Sequence, residues 1–192
     1  KLSGESEEVG TLMVSLLVGF ALALFGIYGL LAIPLRSYLQ PLIIMGVIPF
    51  GIIGAVFGHI VTDLSFSMMS FFGVIALSGV VVNDSLIMVD FINSAIDRGE
   101  RLIDAVVDSG CQRFRAILLT SLTTFFGLLP MLMEDSLQAQ FVIPMAVSLG
   151  FGIIFATVIT LILIPCLYIV LEDVKVLFGS KSARELEPAL SE

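Results

Sequence analysis

Long stretches without a single Asp, Glu, Lys or Arg govern what this chain can fold into. None of these residues occurs between Glu8 and Arg36, between Arg36 and Asp63, or between Asp63 and Asp84, and the same holds from Arg115 to Glu134 and from Asp135 to Glu172. A helix needs about 20 apolar residues to cross the hydrocarbon layer of a bilayer, roughly 30 Å, and each stretch reaches or approaches that length. The last one suits a single span with an interfacial lead-in and is too short for two spans and a turn. Composition agrees, with 58% of the residues hydrophobic and 14% charged, against roughly 25% charged in a soluble domain. The formal charge of -8 does not describe an acidic binding face, because 8 of the 17 acidic residues lie at Glu5 to Glu8 and from Glu172 onward, in the two ends of the chain. The fold class is therefore all-α: a polytopic membrane helical bundle whose first partner is the lipid bilayer.

The spans fall at about 10–33, 39–61, 66–92, 114–133 and 141–171, inside a transmembrane bundle of about 10–175. Pro34 and Pro41 bracket the first connection. Pro49 lies inside the second span, which a membrane helix tolerates when neighbours re-satisfy the backbone. Gly54 and Gly58, spaced four apart, would allow close helix contact. Assigning helix ends alternately to the two sides puts Arg36, Arg98, Arg101, Arg113, Arg115, Lys175, Lys181 and Arg184 on one side and only Lys1 on the other. The positive-inside rule then places the N-terminus outside the cytoplasm and the C-terminus inside. Between the third and fourth spans, apolar Ile96, Leu102, Ile103, Val106 and Val107 alternate with Asp97, Arg98, Glu100, Arg101 and Asp104. That pattern predicts an amphipathic helix of about 97–110 lying along the cytoplasmic interface, with Gly110 as its stop. Residues 1–9 read as the end of a segment outside the membrane, and 176–192 as a polar cytoplasmic tail. The opening KLSGESEEVG lacks a Met and a signal peptide, so the chain reads as a piece of a longer polypeptide.

One residue breaks the solvent rule. Asp84 stands inside the third span, FFGVIALSGVVVNDSLIMVDFIN, roughly seven residues or about 10 Å from its cytoplasmic end. An Asp near the membrane centre costs on the order of 2.5–3.5 kcal/mol on insertion scales and persists only when it faces protein or water. A functional carboxyl is the default hypothesis; a protonated structural clasp to a neighbouring helix is the alternative. Asn83 beside it can donate and accept hydrogen bonds, and Asp90 reads as a solvated helix end. In the fourth span Thr120, Thr123 and Thr124 share a face at a depth that overlaps Asp84. Such hydroxyls can hold water or pass protons, or can simply bond back to their own helix. Arg113 and Arg115 precede them, Arg115 as an ordinary anchor. His59, near the outer end of the second span, reads as an interfacial polar residue and not as a ligand. Cys111 and Cys166 match no metal or redox spacing. No nucleotide loop, metal cluster or nucleophile triad is present in the sequence, so neither a cofactor, an enzyme activity nor a nucleic-acid partner is expected.

The run GVVVNDSLIMVDFIN, the charged amphipathic segment and then RFRAILLTSLTTFFGLLPML, together with IPLRSYLQPLIIMGVIPFGIIGA and SLQAQFVIPMAVSLGFG, resemble the C-terminal membrane region of resistance-nodulation-division efflux pumps over about residues 5–175. The resemblance implies helices eight to twelve of a twelve-helix subunit in the bacterial inner membrane. It also implies a missing N-terminal half of the same subunit, a homotrimer driven by the proton gradient, and a periplasmic adaptor with an outer-membrane channel as partners. Carried over by position, the proton-coupling residues are Asn83 and Asp84, Thr120 and Arg113; Thr124 joins them on its own depth, in the polar seam beside Asp84. Family members place a lysine at the position of Asn83 and usually an asparagine at that of Asp84. A lysine–carboxylate switch is therefore unavailable, and Asp84 instead resembles the acidic position of the family's N-terminal half. Substrate choice belongs, by the same resemblance, to periplasmic regions outside this chain. Two other readings stay open: a non-transporting scaffold among the secretion or sterol-sensing relatives of the superfamily, and, more remotely, an intramembrane aspartyl protease, which would need a second deep carboxyl.

Overall fold

The computed structural model describes residues 2–134 and 136–177, with side chains from Glu8 to Lys175. Helices account for nearly all of them: α1 Leu2–Leu35, α2 Gln40–Met45, α3 Ile48–Thr62, α4 Met68–Asp97, α5 Leu102–Leu132 and α6 Leu137–Leu177. Among the described residues there is no strand. Five segments are long and apolar enough to cross a membrane: Glu8–Leu35, Gln40–Thr62, Met68–Asp97, Leu102–Leu132 and Leu137–Lys175. The polar tail expected at 176–192 lies almost entirely outside the described residues.

The second span is not one rod. Pro49 has no N–H to offer and its ring crowds the carbonyl four residues back, so the ladder fails at that turn. The chain tightens there into shorter-range bonds, Gly46 N–H to Ile43 O at 3.2 Å and Val47 N–H to Ile44 O at 3.4 Å, and α3 restarts with Pro49 in its first turn. The third span stops at Gly99 (φ 88°). Its N–H bonds Ile96 O at 2.9 Å and that of Glu100 bonds Ala95 O at 3.2 Å, the paired bonds of a Schellman cap. A separate helix ending at Gly110 does not form. Residues 102–110 are the first turns of α5, which runs unbroken to Leu132. Gly110 lies beside the tip of Met88, where an added Cβ would make only an ordinary contact.

Helix α6 is the centre of the bundle, with α3, α4 and α5 packed around it. Close approach rests on small residues, as it must where lipid supplies no hydrophobic drive between helices. Gly54 and Gly58 of α3 lie against Phe155 and Phe151 of α6, and Gly73 of α4 lies against the backbone of Met145. Side chains added at these glycines would overlap their neighbours. The GxxxG spacing therefore marks the α3–α6 seam. Ile44, Val47, Leu77, Met88, Ile153 and Ile164 fill the shared core. Helix α1 buries only Leu31 and Leu35 in it, near its C-terminal end, with Phe20, Leu24 and Ile27 packed partly against it.

His59 is not an interfacial residue with its ring in solvent. It is 4% exposed; its Nδ1 lies 2.9 Å from Ala55 O and its Nε2 lies 2.7 Å from the Ser70 hydroxyl. A carbonyl only accepts, so Nδ1 carries a proton and donates to Ala55, while Nε2 and the Ser70 hydroxyl share the second bond. The Ser70 oxygen in turn accepts the N–H of Ser67 at 3.0 Å, which ties the end of α3 to the start of α4.

Candidate functional site

Helix α4 carries two polar sites that differ in how they are satisfied. Near its C-terminal end Asn93 forms a reciprocal amide pair with Gln40 of α2: Gln40 Nε2 donates to Asn93 Oδ1 at 2.9 Å and Asn93 Nδ2 donates to Gln40 Oε1 at 3.0 Å. The Tyr168 hydroxyl of α6 donates to the same Asn93 oxygen at 2.6 Å. Gln40 and Tyr168 are buried. Three elements are thus tied at one point by neutral groups, each with a partner. A little further along α6, Glu172 is 2% exposed and pairs with Lys175. None of these residues was marked by sequence patterning. Each is one polar side chain in an apolar run, and its partners lie 53 and 75 residues away in the chain.

Asp84 is different. It is half-buried, and among the described residues its carboxyl has no hydrogen-bond or ion-pair partner. The buried face of α4 includes Val81, Val82, Ser85, Met88 and Val89, so at 100° per residue Asp84 falls on the flank of that face and Asn83 points away from it. Asn83 is exposed, so within the described residues the two neighbours look in different directions. Asp90, seven residues after Asn83, is exposed on the same outer stripe. The Ser85 hydroxyl, buried directly beside Asp84, has no hydrogen-bond partner among the described residues.

The flank that carries Asp84 is the one that meets α5. Met88, four residues on, touches Gly110, and Phe91, seven on, lies under the Arg113 guanidinium, whose carbon is 3.7 Å from the ring centroid. On α5 the residue seven beyond Arg113 is Thr120, with Thr124 a turn further. Because α4 and α5 run antiparallel through a tight turn, equal steps away from the Phe91–Arg113 contact bring Asp84 and Thr120 within about one helical turn of each other along the bundle. Thr120 is exposed and Thr124 half-buried. Their hydroxyls donate to Ala116 O and Thr120 O, each at 2.9 Å, and Thr123 donates to Leu119 O at 2.7 Å. The threonines thus bond back to their own helix, which leaves their oxygens free to accept. Arg115 is exposed. The fourth-span residue fixed to the interior is Ser121, which donates to Ile117 O and shares a short 2.5 Å contact with Thr157 of α6.

A carboxyl of this kind, set in a membrane span without a partner and flanked by hydroxyls, can take up and release a proton or meet a cation. Among the described residues no group of three or more His, Cys, Asp or Glu is placed to hold a metal.

Comparison with known proteins places these features in a family. A family model described as "AcrB/AcrD/AcrF family" matches residues 1–172. Among similar proteins is the multidrug resistance protein MdtC of Yersinia enterocolitica, 30% identical over 166 residues, covering 86% of this chain and 16% of that protein. The MdtC of Salmonella paratyphi B is 27% identical over 183 residues, covering 95% of this chain and 18% of that protein. Among solved structures, a crystal form of a heavy metal efflux pump superposes with a TM-score of 0.79 at 28% identity, covering 87% of this chain and 17% of the other. The chain therefore spans less than a fifth of the length of these relatives.

Proposed function

The chain belongs to the AcrB/AcrD/AcrF family of resistance-nodulation-division efflux transporters, which are not enzymes, and on that premise we propose that it is a membrane part of a proton-driven antiporter exporting drugs or other amphiphiles. The observation that carries the reading is Asp84: a carboxyl inside a span, without a partner among the described residues, on the side of α4 that faces the threonine side of α5. A structural clasp would bring such a carboxyl its hydrogen bonds, as Asn93 has them. A proton-coupling group must instead stay free to change charge, and a membrane interior makes that change energetically large.

In this reading Asp84 alternates between the acid and the carboxylate, Thr120 and Thr124 hold water or the acid's proton beside it, and Arg113 supplies the positive charge that the carboxylate form attracts. Asn83, on the outer stripe of α4, meets helices contributed by the rest of the subunit. The polypeptide sits in the bacterial inner membrane with its N-terminus periplasmic and its C-terminus cytoplasmic, as the distribution of basic residues favours. By analogy with its family it works as a homotrimer with a periplasmic adaptor and an outer-membrane channel.

The test is Asp84→Asn in the transporter that contains this chain, reconstituted with an imposed proton gradient and assayed for proton flux coupled to export. The proposal expects coupled flux to fall by about tenfold or more, a change of ~1.4 kcal/mol or greater. Undiminished coupling in a correctly inserted Asp84→Asn protein would exclude it.

A further inference from the structure

Arg113 rests on an aromatic ring although a carboxyl lies two helical turns along the same side of α4. Its guanidinium stacks on Phe91, and its Nε is buried with no hydrogen-bond partner among the described residues. Stacking on a phenyl face is a weak hold compared with a charge-assisted hydrogen bond to a carboxylate. It also leaves an orphan donor, which the membrane interior penalises. The arrangement is therefore one in which the cation has a better partner available in another protonation state.

We propose that Phe91 is a positioning residue for proton coupling: its ring holds the Arg113 guanidinium away from Asp84 and yields it when Asp84 is ionised. This rests on the reading of Asp84 as the titrating group. Phe91 and Asp84 are seven residues apart on the α5 side of α4, about 10 Å. Arg113 reaches from α5 onto the same side of α4, so a change of rotamer in one long unbranched side chain would carry its head from the ring towards Asp84. When Asp84 releases its proton to water in the crevice, the carboxylate draws the guanidinium off the ring and satisfies Nε. When Asp84 is reprotonated, the charge that held Arg113 disappears and the ring takes it back. Phe91 thus sets how readily Asp84 gives up its proton without touching it.

Other titratable groups on the elements around α4 leave this exchange alone. On α5, Asp108, Cys111 and Arg115 are exposed, and exposed Asp104 pairs with Arg101. His59 of α3 is at the other end of the bundle, bonded to Ser70. On α6, Tyr168 bonds Asn93 and Glu172 pairs with Lys175, both towards the C-terminal end of α4. Tyr28 of α1 bonds Tyr38 O. On α4 itself Asp90 and Asp97 lie exposed.

The experiment titrates the Asp84 carboxyl by difference infrared spectroscopy in the purified transporter, the band being assigned by its loss in Asp84→Asn. No export substrate is needed. Phe91→Leu removes the ring but keeps an apolar side chain, so Arg113 stays longer with the carboxylate and favours its ionised form. The midpoint moves to lower pH by about half to one unit. Phe91→Trp, which keeps an aromatic face, holds the midpoint at or above the parent value, and in an Arg113→Gln background Phe91→Leu has no further effect. Should Phe91→Leu fail to fold, Phe91→Met carries the same expectation. A titrating Asp84 band that ignores Phe91, or a Phe91→Leu shift that survives Arg113→Gln, overturns the proposal alone. The absence of any titrating Asp84 band removes the reading beneath it and the proposal together.

Discussion

Two polar sites nine residues apart on α4 obey opposite rules. Around Asn93 every group is neutral and bonded: the amide of Gln40 returns the bond it receives and the Tyr168 hydroxyl completes the Asn93 oxygen. Around Asp84 the group is ionisable and has no partner among the described residues. Both are polar intrusions into an apolar span, yet only one is finished by the bundle itself. A closed network rigidifies its surroundings and is penalised by any deletion. An open carboxyl destabilises its helix, and the sequence keeps it only where something outside the fold's own stability requires it. Under the proposed function, the contrast separates holding the bundle together from moving charge through it, and it can be broken experimentally.

The largest effect is expected at the open site. Asp84→Asn should abolish at least about 90% of proton-coupled export while leaving resistance to unfolding in detergent unchanged or slightly raised, since the costly group is removed. Loss of stability together with export would mean that Asp84 is a clasp after all. Asn93→Leu should do the reverse. It strands the Gln40 amide and the Tyr168 hydroxyl in the interior and lowers stability by about 1–3 kcal/mol, measured by chemical or thermal unfolding, while the pH midpoint of any remaining transport stays in place. A pH shift from Asn93→Leu without a change in stability would erase the distinction between the two sites.

Gly58→Ala extends the comparison to the glycine seam. The added methyl meets the Cβ and ring of Phe151, and overpacking of this kind costs about 1–3 kcal/mol. The effect should again appear in unfolding and in trimer or monomer yield, not in the pH dependence. A neutral Gly58→Ala would show that the α3–α6 contact relaxes more easily than its spacing implies.

What the sequence revealed followed the solvent. The five spans were legible because a bilayer forbids charge over long runs, and Asp84 was legible as the exception. The Gly54–Gly58 spacing announced the α3–α6 contact because close approach needs small residues wherever it happens. Local backbone rules were half legible: Pro49 announced trouble in the second span, but the break itself appears two residues earlier, where the lost bond is felt. Gly110 was the stop the sequence pattern singled out, whereas the third span ends at Gly99 through the capping bonds to Ala95 and Ile96. The Gln40–Asn93–Tyr168 cluster was illegible, because its pairing depends on how α2, α4 and α6 dock and not on any periodicity. The same is true of Phe91, one aromatic among 15 phenylalanines until Arg113 is seen above it.

The smallest expected effect is the most discriminating within the threonine stripe. Thr120, Thr123 and Thr124 all bond back to the carbonyl four residues earlier, so local energetics treat them alike, and replacing any one with Val should change stability by less than about 0.6 kcal/mol. Their directions differ. Thr120 lies seven residues from Arg113 and within about 20° of its direction, on the side facing α4, whereas Thr123 shares the broader face but sits about 60° further round, at its edge. Thr123→Val should therefore leave export within about twofold of the parent, whereas Thr120→Val should reduce it severalfold at equal stability. If both variants behave alike, the stripe is helix glue and the polar seam shrinks to Asp84 and Arg113. If only Thr120 matters, a hydroxyl facing the carboxyl is part of the path, because nothing in the folding energetics sets the two threonines apart.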